Sequence, residues 1–357
     1  MHLAKQGLRH YGMAGSPSCG SMKQGFEFVS DDLPFRPAVA PAEEATPTST
    51  CKCRTSLKVV YIAGDGRSGS TLLDRLLGAH PGVFSCGELG NLLQSVNSPA
   101  DYCACMFPAG ECGFWRGVMR QWRASVPDFS EREYLELQRR FERLRCLLHP
   151  LKSRLYCGAK FRRYVQYTGA LLAAVAKCAG AGVIVDSSKN PARALALSRI
   201  RGMELYMLHL VRDVRGVAYS LRIPYRFPPQ TGPMSGVKRR GHLRFVSTWV
   251  AVNYFCERVC GQLSGHSLRV RYEDYTAKPS ASLSEIAKLL GVPPADLGTQ
   301  PEKVLVQGHQ VAGNVIRMEP VRAIAPDETW RSYFSFPAQM GMYLLALPLM
   351  IHYRYHF

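Results

Sequence analysis

The residues with the plainest chemistry lie in the stretch Val59-Val60-Tyr61-Ile62-Ala63-Gly64-Asp65-Gly66-Arg67-Ser68-Gly69-Ser70-Thr71-Leu72-Leu73. An apolar run of strand type meets a glycine-broken turn. A Ser/Thr opening then starts a helix whose Leu72, Leu73, Leu76 and Leu77 form one stripe. Backbone N–H groups from Gly66 to Ser70, the helix N-terminus and the Arg67 side chain converge on a tetrahedral anion, which is how such turns hold phosphate or sulfate. The Gly64-x-x-x-x-Gly69 frame resembles a Walker A loop, but Ser70 stands where that loop carries its Lys. ATP or GTP hydrolysis is therefore the weaker reading.

A cradle of this kind needs a strand behind it and a sheet on either side. A helix over Tyr167 to Ala179 feeds the strand Val183 to Asp186, a further strand spans Leu205 to Val211, and Leu268 to Tyr272 precedes a helix over Ser282 to Leu290. Strands alternating with helices predict a parallel sheet that binds ligands at the carboxyl ends of its strands. The expected fold is an α/β three-layer sandwich of the P-loop NTPase type. Each of three strand ends carries chemistry: the cradle, Asp186-Ser187-Ser188-Lys189, and Arg212 with Ser220 in the helix after it. One Arg at a strand end is commonly a salt bridge. Three such ends together point instead to a second anion, held by Arg212 and Ser220.

The 357 residues carry 45 Lys+Arg against 27 Asp+Glu, a net charge of +18 that attracts polyanions, acidic substrates or anionic surfaces. The basic residues are dispersed apart from Arg162-Arg163 and Lys238-Arg239-Arg240, with no aromatic-interleaved repeat, so no dedicated nucleic-acid role is expected. Residues 1–54 are rich in Gly, Ser, Pro, Ala and Thr and read as a disordered extension. Residues 55–357 read as a single domain with a helical insertion around 98–150, including a helix over Glu131 to Leu148. No apolar leader opens the chain and no run of 18 apolar residues occurs, which predicts a cytoplasmic protein. The apolar end, Met340 to Phe357, reads as a packed or interfacial helix that leaves peripheral contact with anionic lipid open. Cys103-x-Cys105 with Cys112 has part of a zinc pattern, but no fourth ligand is evident nearby, so thiols packed in a loop or a local disulfide fit better.

Taken together, Arg67-Ser68-Gly69-Ser70-Thr71-Leu72-Leu73, His80-Pro81, Gly87-Glu88 and Arg212 with Ser220 resemble the sulfotransferases that use 3′-phosphoadenosine 5′-phosphosulfate (PAPS). Bacterial-type members are similar through Cys103-x-Cys105 to Cys112-x-Phe114-Trp115, Asp186-Ser187-Ser188-Lys189, His309 to Gly313-Asn314 and Arg317, and Asp327-x-x-Trp330. The protein tyrosine sulfotransferases are similar around the first loop and Gly87-Glu88. Those enzymes sit behind a membrane anchor, so the likeness does not carry their substrate across.

The resemblance implies that Gly66 to Leu72 hold the 5′-phosphosulfate and that Arg212 and Ser220 hold the 3′-phosphate. Tyr272, Gly313, Asn314 and Arg317 would lie near the nucleotide. It implies Glu88 as general base and Lys189 as the cation on the leaving phosphate, with His309 as the rival base. Sulfuryl transfer needs a base, an acceptor and cations, and no metal; positioning and electrostatics dominate. The acceptor class stays open among small molecules, carbohydrates, lipids and peptides, and falls to the loops 95–115 and 222–240. A P-loop nucleoside or small-molecule kinase and a non-catalytic nucleotide- or polyanion-binding protein remain the alternatives.

Overall fold

A computed structural model describes residues 56–147, 156–222, 242–263, 265–293, 308–319 and 324–357. The expected extension, the Lys238-Arg239-Arg240 cluster and the loop 223–240 lie outside the described residues.

The first unit is β1 (Leu57–Gly64), α1 (Ser70–Gly78) and β2 (Val83–Ser85). Helices α2 (Leu92–Val96), α3 (Gly113–Ser125), α4 (Glu131–Phe141) and α5 (Ala159–Ala179) lead to β3 (Val183–Lys189). There follow α6 (Pro191–Leu197), β4 (Met203–Val211), α7 (Val214–Ser220), α8 (His242–Cys260), β5 (Ser267–Arg271), α9 (Tyr272–Ala277) and α10 (Pro279–Leu290). The chain ends in α11 (Trp330–Tyr333), α12 (Phe336–Leu345) and α13 (Leu347–His352). The sheet runs β2-β3-β1-β4-β5, with every pair parallel. This is the α/β parallel-sheet architecture that the sequence predicts.

The layers follow from the two-residue period of the central strand. Val59, Tyr61 and Ala63 point into the core shared with α3 to α6, whereas Val60 and Ile62 point into the core shared with α1, α9 and α10. Both sets are fully buried, as strands sandwiched between helix layers must be. A third cluster joins Val214 and Val217 to Trp249, Met342, Met350 and Tyr353. It packs the apolar chain end onto the fold, while Phe336, Leu344, Leu345 and Ile351 of that end stay exposed. Among the described residues, no helix is long and apolar enough to cross a membrane.

Two expectations need correction. The helix expected over Glu131 to Leu148 stops at Phe141, with a separate 3-10 turn at Leu144–Leu147. Glu142 is drawn sideways there: its carboxylate accepts from Arg193 Nη1 (2.5 Å) and Tyr164 (2.8 Å), and its carbonyl from Asn190. β2 escaped the sequence reading because three residues are too few to show a period.

Candidate active site

The cradle forms where β1 gives way to α1. Arg67 sits at φ 71° and Gly69 at φ 92°, so the loop turns through two left-handed residues before the helix begins. A Cβ on Gly69 would fall 2.6 Å from the Tyr272 ring and against the Tyr275 hydroxyl, which donates to the Gly69 carbonyl at 2.8 Å. Torsion and space both demand glycine. Over the loop opens a cavity of about 660 Å³, a volume that suits a small-molecule ligand. Gly66, Arg67, Gly69, Ser70, Thr71, Leu72, Glu88, Lys189, Arg212, Ser220, Tyr272, Gly313, Asn314 and Arg317 all line it. Ser68 is buried beneath the loop, its hydroxyl without a partner, and does not reach the cavity wall.

Glu88 and Lys189 meet because β2 and β3 stay paired past their ends. Cys86 N–H donates to the Val185 carbonyl (3.0 Å) and Ser187 N–H to the Gly87 carbonyl (2.8 Å). Asp186, fully buried, accepts from the backbone and hydroxyl of Ser188 and from Arg193 Nε (3.0 Å). Ser188 Oγ in turn accepts from Gly90 N–H (2.8 Å). Asp186 and Ser188 therefore build the turn, and Lys189 is what it presents. Lys189 Nζ ion-pairs with Glu88 Oε1, while Glu88 Oε2 accepts from Asn91 (2.9 Å). Gly313, at φ 76°, lies against the same carboxylate, where a Cβ would come within 2.6 Å of Oε1. Lys189 (φ 69°), Arg67 and Ala312 (φ 55°) are non-glycine residues in left-handed backbone, and all three line the cavity. Strain of this kind, about 1–3 kcal/mol per residue, persists where the surrounding structure imposes it, commonly at functional sites.

Arg212 follows β4 and Ser220 closes α7, so both reach the same cavity. The Arg212 guanidinium lies 4.1 Å from the Tyr272 ring centre, donates to the Arg67 carbonyl (3.2 Å) and pairs with Asp327 (3.0 Å). Burial, and then repulsion from Arg212, lower the Arg67 pKa to about 10. Two cations thus face one space, and an anion between them offsets their repulsion.

Arg317 lines the cavity with its guanidinium already engaged, and His309 turns elsewhere. Arg317, 6% exposed, donates to Asp101 (2.9 Å) and to the carbonyls of Tyr102 (2.7 Å) and Gly313 (3.1 Å), so it clamps two segments together at the cavity edge. Asn314 accepts from Ile316 N–H (3.2 Å), capping the 3-10 turn Val315–Met318. His309 does not line the cavity. Its Nδ1 faces the sulfurs of Cys103 and Cys112 instead.

The structure adds residues that the sequence reading did not place with the cradle. Asn91, Gln94, Ser95 and Ser98 form one wall of the cavity. Their three- and four-residue spacing beside buried Leu92 and Leu93 is a polar helical face, which was the available signal. Asp327 lay in a quoted motif, yet its partner Arg212 could be seen only in space.

A search of curated protein sequences finds no match. Among solved structures, the chain is similar to the sulfotransferase domain of the Synechococcus PCC 7002 olefin synthase, with 20% identity over 85% of this chain and 98% of that one and a TM-score of 0.44. It is similar to the sulfotransferase domain from the curacin biosynthetic pathway, with 19% identity over 82% of this chain and 97% of that one and a TM-score of 0.44. It is also similar to a Mycobacterium tuberculosis sulfotransferase, with 15% identity over 71% of this chain and 72% of that one and a TM-score of 0.39. The sequence profile of the Sulfotransferase family matches residues 60–296, a span that holds the cradle, Glu88, Lys189, Arg212 and Tyr272 and more than half of the chain, and the protein belongs to that family.

Proposed function

We propose that the protein transfers the sulfuryl group of PAPS to a hydroxyl or amine of an acceptor. The observation that carries this reading is the Glu88–Lys189 ion pair on the wall of the cavity that Arg67, Ser70 and Thr71 open. In this reading the cradle and Arg67 hold the 5′-phosphosulfate, and Arg212 and Ser220 hold the 3′-phosphate. Glu88 takes the proton of the acceptor as its oxygen or nitrogen bonds to sulfur. Lys189 stabilises the negative charge that collects on the phosphate as the bridging S–O bond breaks. Glu88 is the preferred base over His309, because only Glu88 lines the cavity.

PAPS carries one phosphate beside its sulfate rather than a β,γ pair, so Ser70 in place of the Walker Lys suits it better than a nucleoside triphosphate. Calorimetric titration with adenosine 3′,5′-bisphosphate, with adenosine 5′-phosphate and with ATP plus Mg²⁺ tests the reading. Tight binding of the first alone is expected. Preference for ATP with Mg²⁺ would move the protein to the kinases.

A further inference from the structure

The geometry points to a zinc site outside the cavity, made by Cys103, Cys105, Cys112 and His309. Their donor atoms all lie within 4.8 Å of one another. Cys112 Sγ is 3.4 Å from His309 Nδ1 and 3.5 Å from Cys105 Sγ, and Cys103 Sγ is 3.7 Å from the same imidazole nitrogen. A tetrahedral Zn²⁺ with bonds of about 2.3 Å to sulfur and 2.0–2.1 Å to nitrogen requires ligand edges of about 3.6–3.8 Å. The three shortest separations, 3.4–3.7 Å, are already close to that size, and the remaining ones need only a small contraction. Three thiolates and one imidazole are also a donor set that selects zinc over the hard cations magnesium and calcium.

The surroundings fit a bound ion. Cys103 and Cys105 sit in a tight hairpin in which Cys103 N–H donates to the Phe107 carbonyl and Met106 N–H to the Cys103 carbonyl, both at 2.9 Å, with Met106 at φ 70°. The backbone amides of Cys105, Phe107 and Trp115 lie against the sulfurs of Cys103, Cys105 and Cys112 respectively. Amides directed at sulfur stabilise thiolates. Cys112 stands immediately before α3, and its thiol is 1% exposed or less along with that of Cys103. The Phe114 ring stacks on the His309 imidazole at 4.8 Å and 6°, and Trp115 Nε1 donates to the His309 carbonyl at 2.7 Å, fixing the fourth ligand from behind.

Four protein ligands leave no position open for a reactant, so the ion is structural. Its effect reaches the cavity through the backbone. Beside His309, the Gln310 carbonyl accepts from Ala104 N–H (3.0 Å), and Val311 exchanges hydrogen bonds with Cys86 and Glu88 (both 2.9 Å). Gly313 then packs on the Glu88 carboxylate. The ion thus locks to the Cys103–Cys112 turn a strap that arrives 197 residues later in the chain and forms the wall beside Glu88.

Protein purified under reducing conditions without chelator should carry one zinc per chain by mass spectrometry of the metal. A thiol-reactive mercurial should release it, and removal should lower Tm. Replacement by Co²⁺ should give thiolate-to-cobalt charge-transfer bands in the near ultraviolet and the visible bands of a tetrahedral site. Cys105→Ser and His309→Ala should weaken metal retention, whereas Cys178→Ser, at an exposed thiol outside the cluster, should keep one zinc. The wild-type spectrum keeps the test sharp if a variant fails to fold. Folded, reduced protein that holds no zinc and shows no cobalt bands overturns the site. So does a disulfide between two of Cys103, Cys105 and Cys112, located by peptide mass spectrometry, that forms on air oxidation at the same rate with and without zinc, which would identify a redox pair instead.

Discussion

Two pairs of charges line the same cavity and behave in opposite ways. Lys189 and Glu88 carry opposite signs and neutralise one another, and each has further polar neighbours to hold it. Arg67 and Arg212 carry the same sign; Arg212 has Asp327 on its far side, and Arg67 has its pKa lowered to about 10 by burial and by Arg212. An opposite pair is complete without a ligand, so it is suited to moving a proton and steadying charge during a reaction. A like pair is stabilised when an anion arrives. In the proposed function the first pair serves turnover and the second serves binding.

The sharpest way to separate the two is Glu88→Gln. It keeps the size and hydrogen bonding of the side chain and removes its basicity, so kcat should fall about 10²- to 10⁴-fold with nucleotide affinity nearly unchanged. The measurement is sulfate transfer from radiolabelled PAPS, after an acceptor is found among sugars, lipids, phenols and peptides. A parallel loss of nucleotide binding would place Glu88 in the anion site and dissolve the contrast.

Arg212→Ala breaks the other pair. It should weaken adenosine 3′,5′-bisphosphate about ten- to a hundredfold, the worth of one charge-assisted hydrogen bond, and adenosine 5′-phosphate far less. Equal losses for both nucleotides by calorimetry would show that Arg212 supports the cradle through the Arg67 carbonyl rather than binding a second phosphate.

Asp74 supplies a third case, a buried carboxyl that makes no ion pair among the described residues. It is 1% exposed, its Oδ2 accepts from Ser85 and its Oδ1 has no partner. Burial raises its pKa from 3.8 to about 7, with the Ser85 hydrogen bond opposing the rise. The folded chain therefore holds this proton where the unfolded chain has released it. The stability tied to Asp74 is full below the unfolded value of 3.8 and is lost as pH climbs to about 7. Asp74→Asn should match the wild type near pH 4 and exceed it by a few degrees in Tm above about pH 7. A Tm difference that stays flat over that range would show the carboxylate is charged throughout.

What the sequence by itself determined is local. The cradle was legible because a strand, a glycine turn and a helix N-terminus are contiguous and each has its own signature, from Val59 to Leu77. Lys189 and Arg212, with Ser220 in the helix that follows, were legible as strand ends, since a parallel sheet gathers such ends on one edge, whereas Glu88 was legible only through the resemblance of Gly87-Glu88 to a family motif. Tertiary structure decided how the side chains of the basic and acid–base candidates are engaged. Arg317 looks like Arg212 in sequence, yet its guanidinium is consumed by Asp101 and two carbonyls. His309 looked like a base beside the Gly313-Asn314 motif, and the fold turns its ring onto three thiols. The missing fourth ligand of the cysteine cluster was in view all along, but a pairing across 197 residues has no period and no spacing rule to announce it. Only the packing of the strap against β2 and the Cys103–Cys112 turn brings the two together.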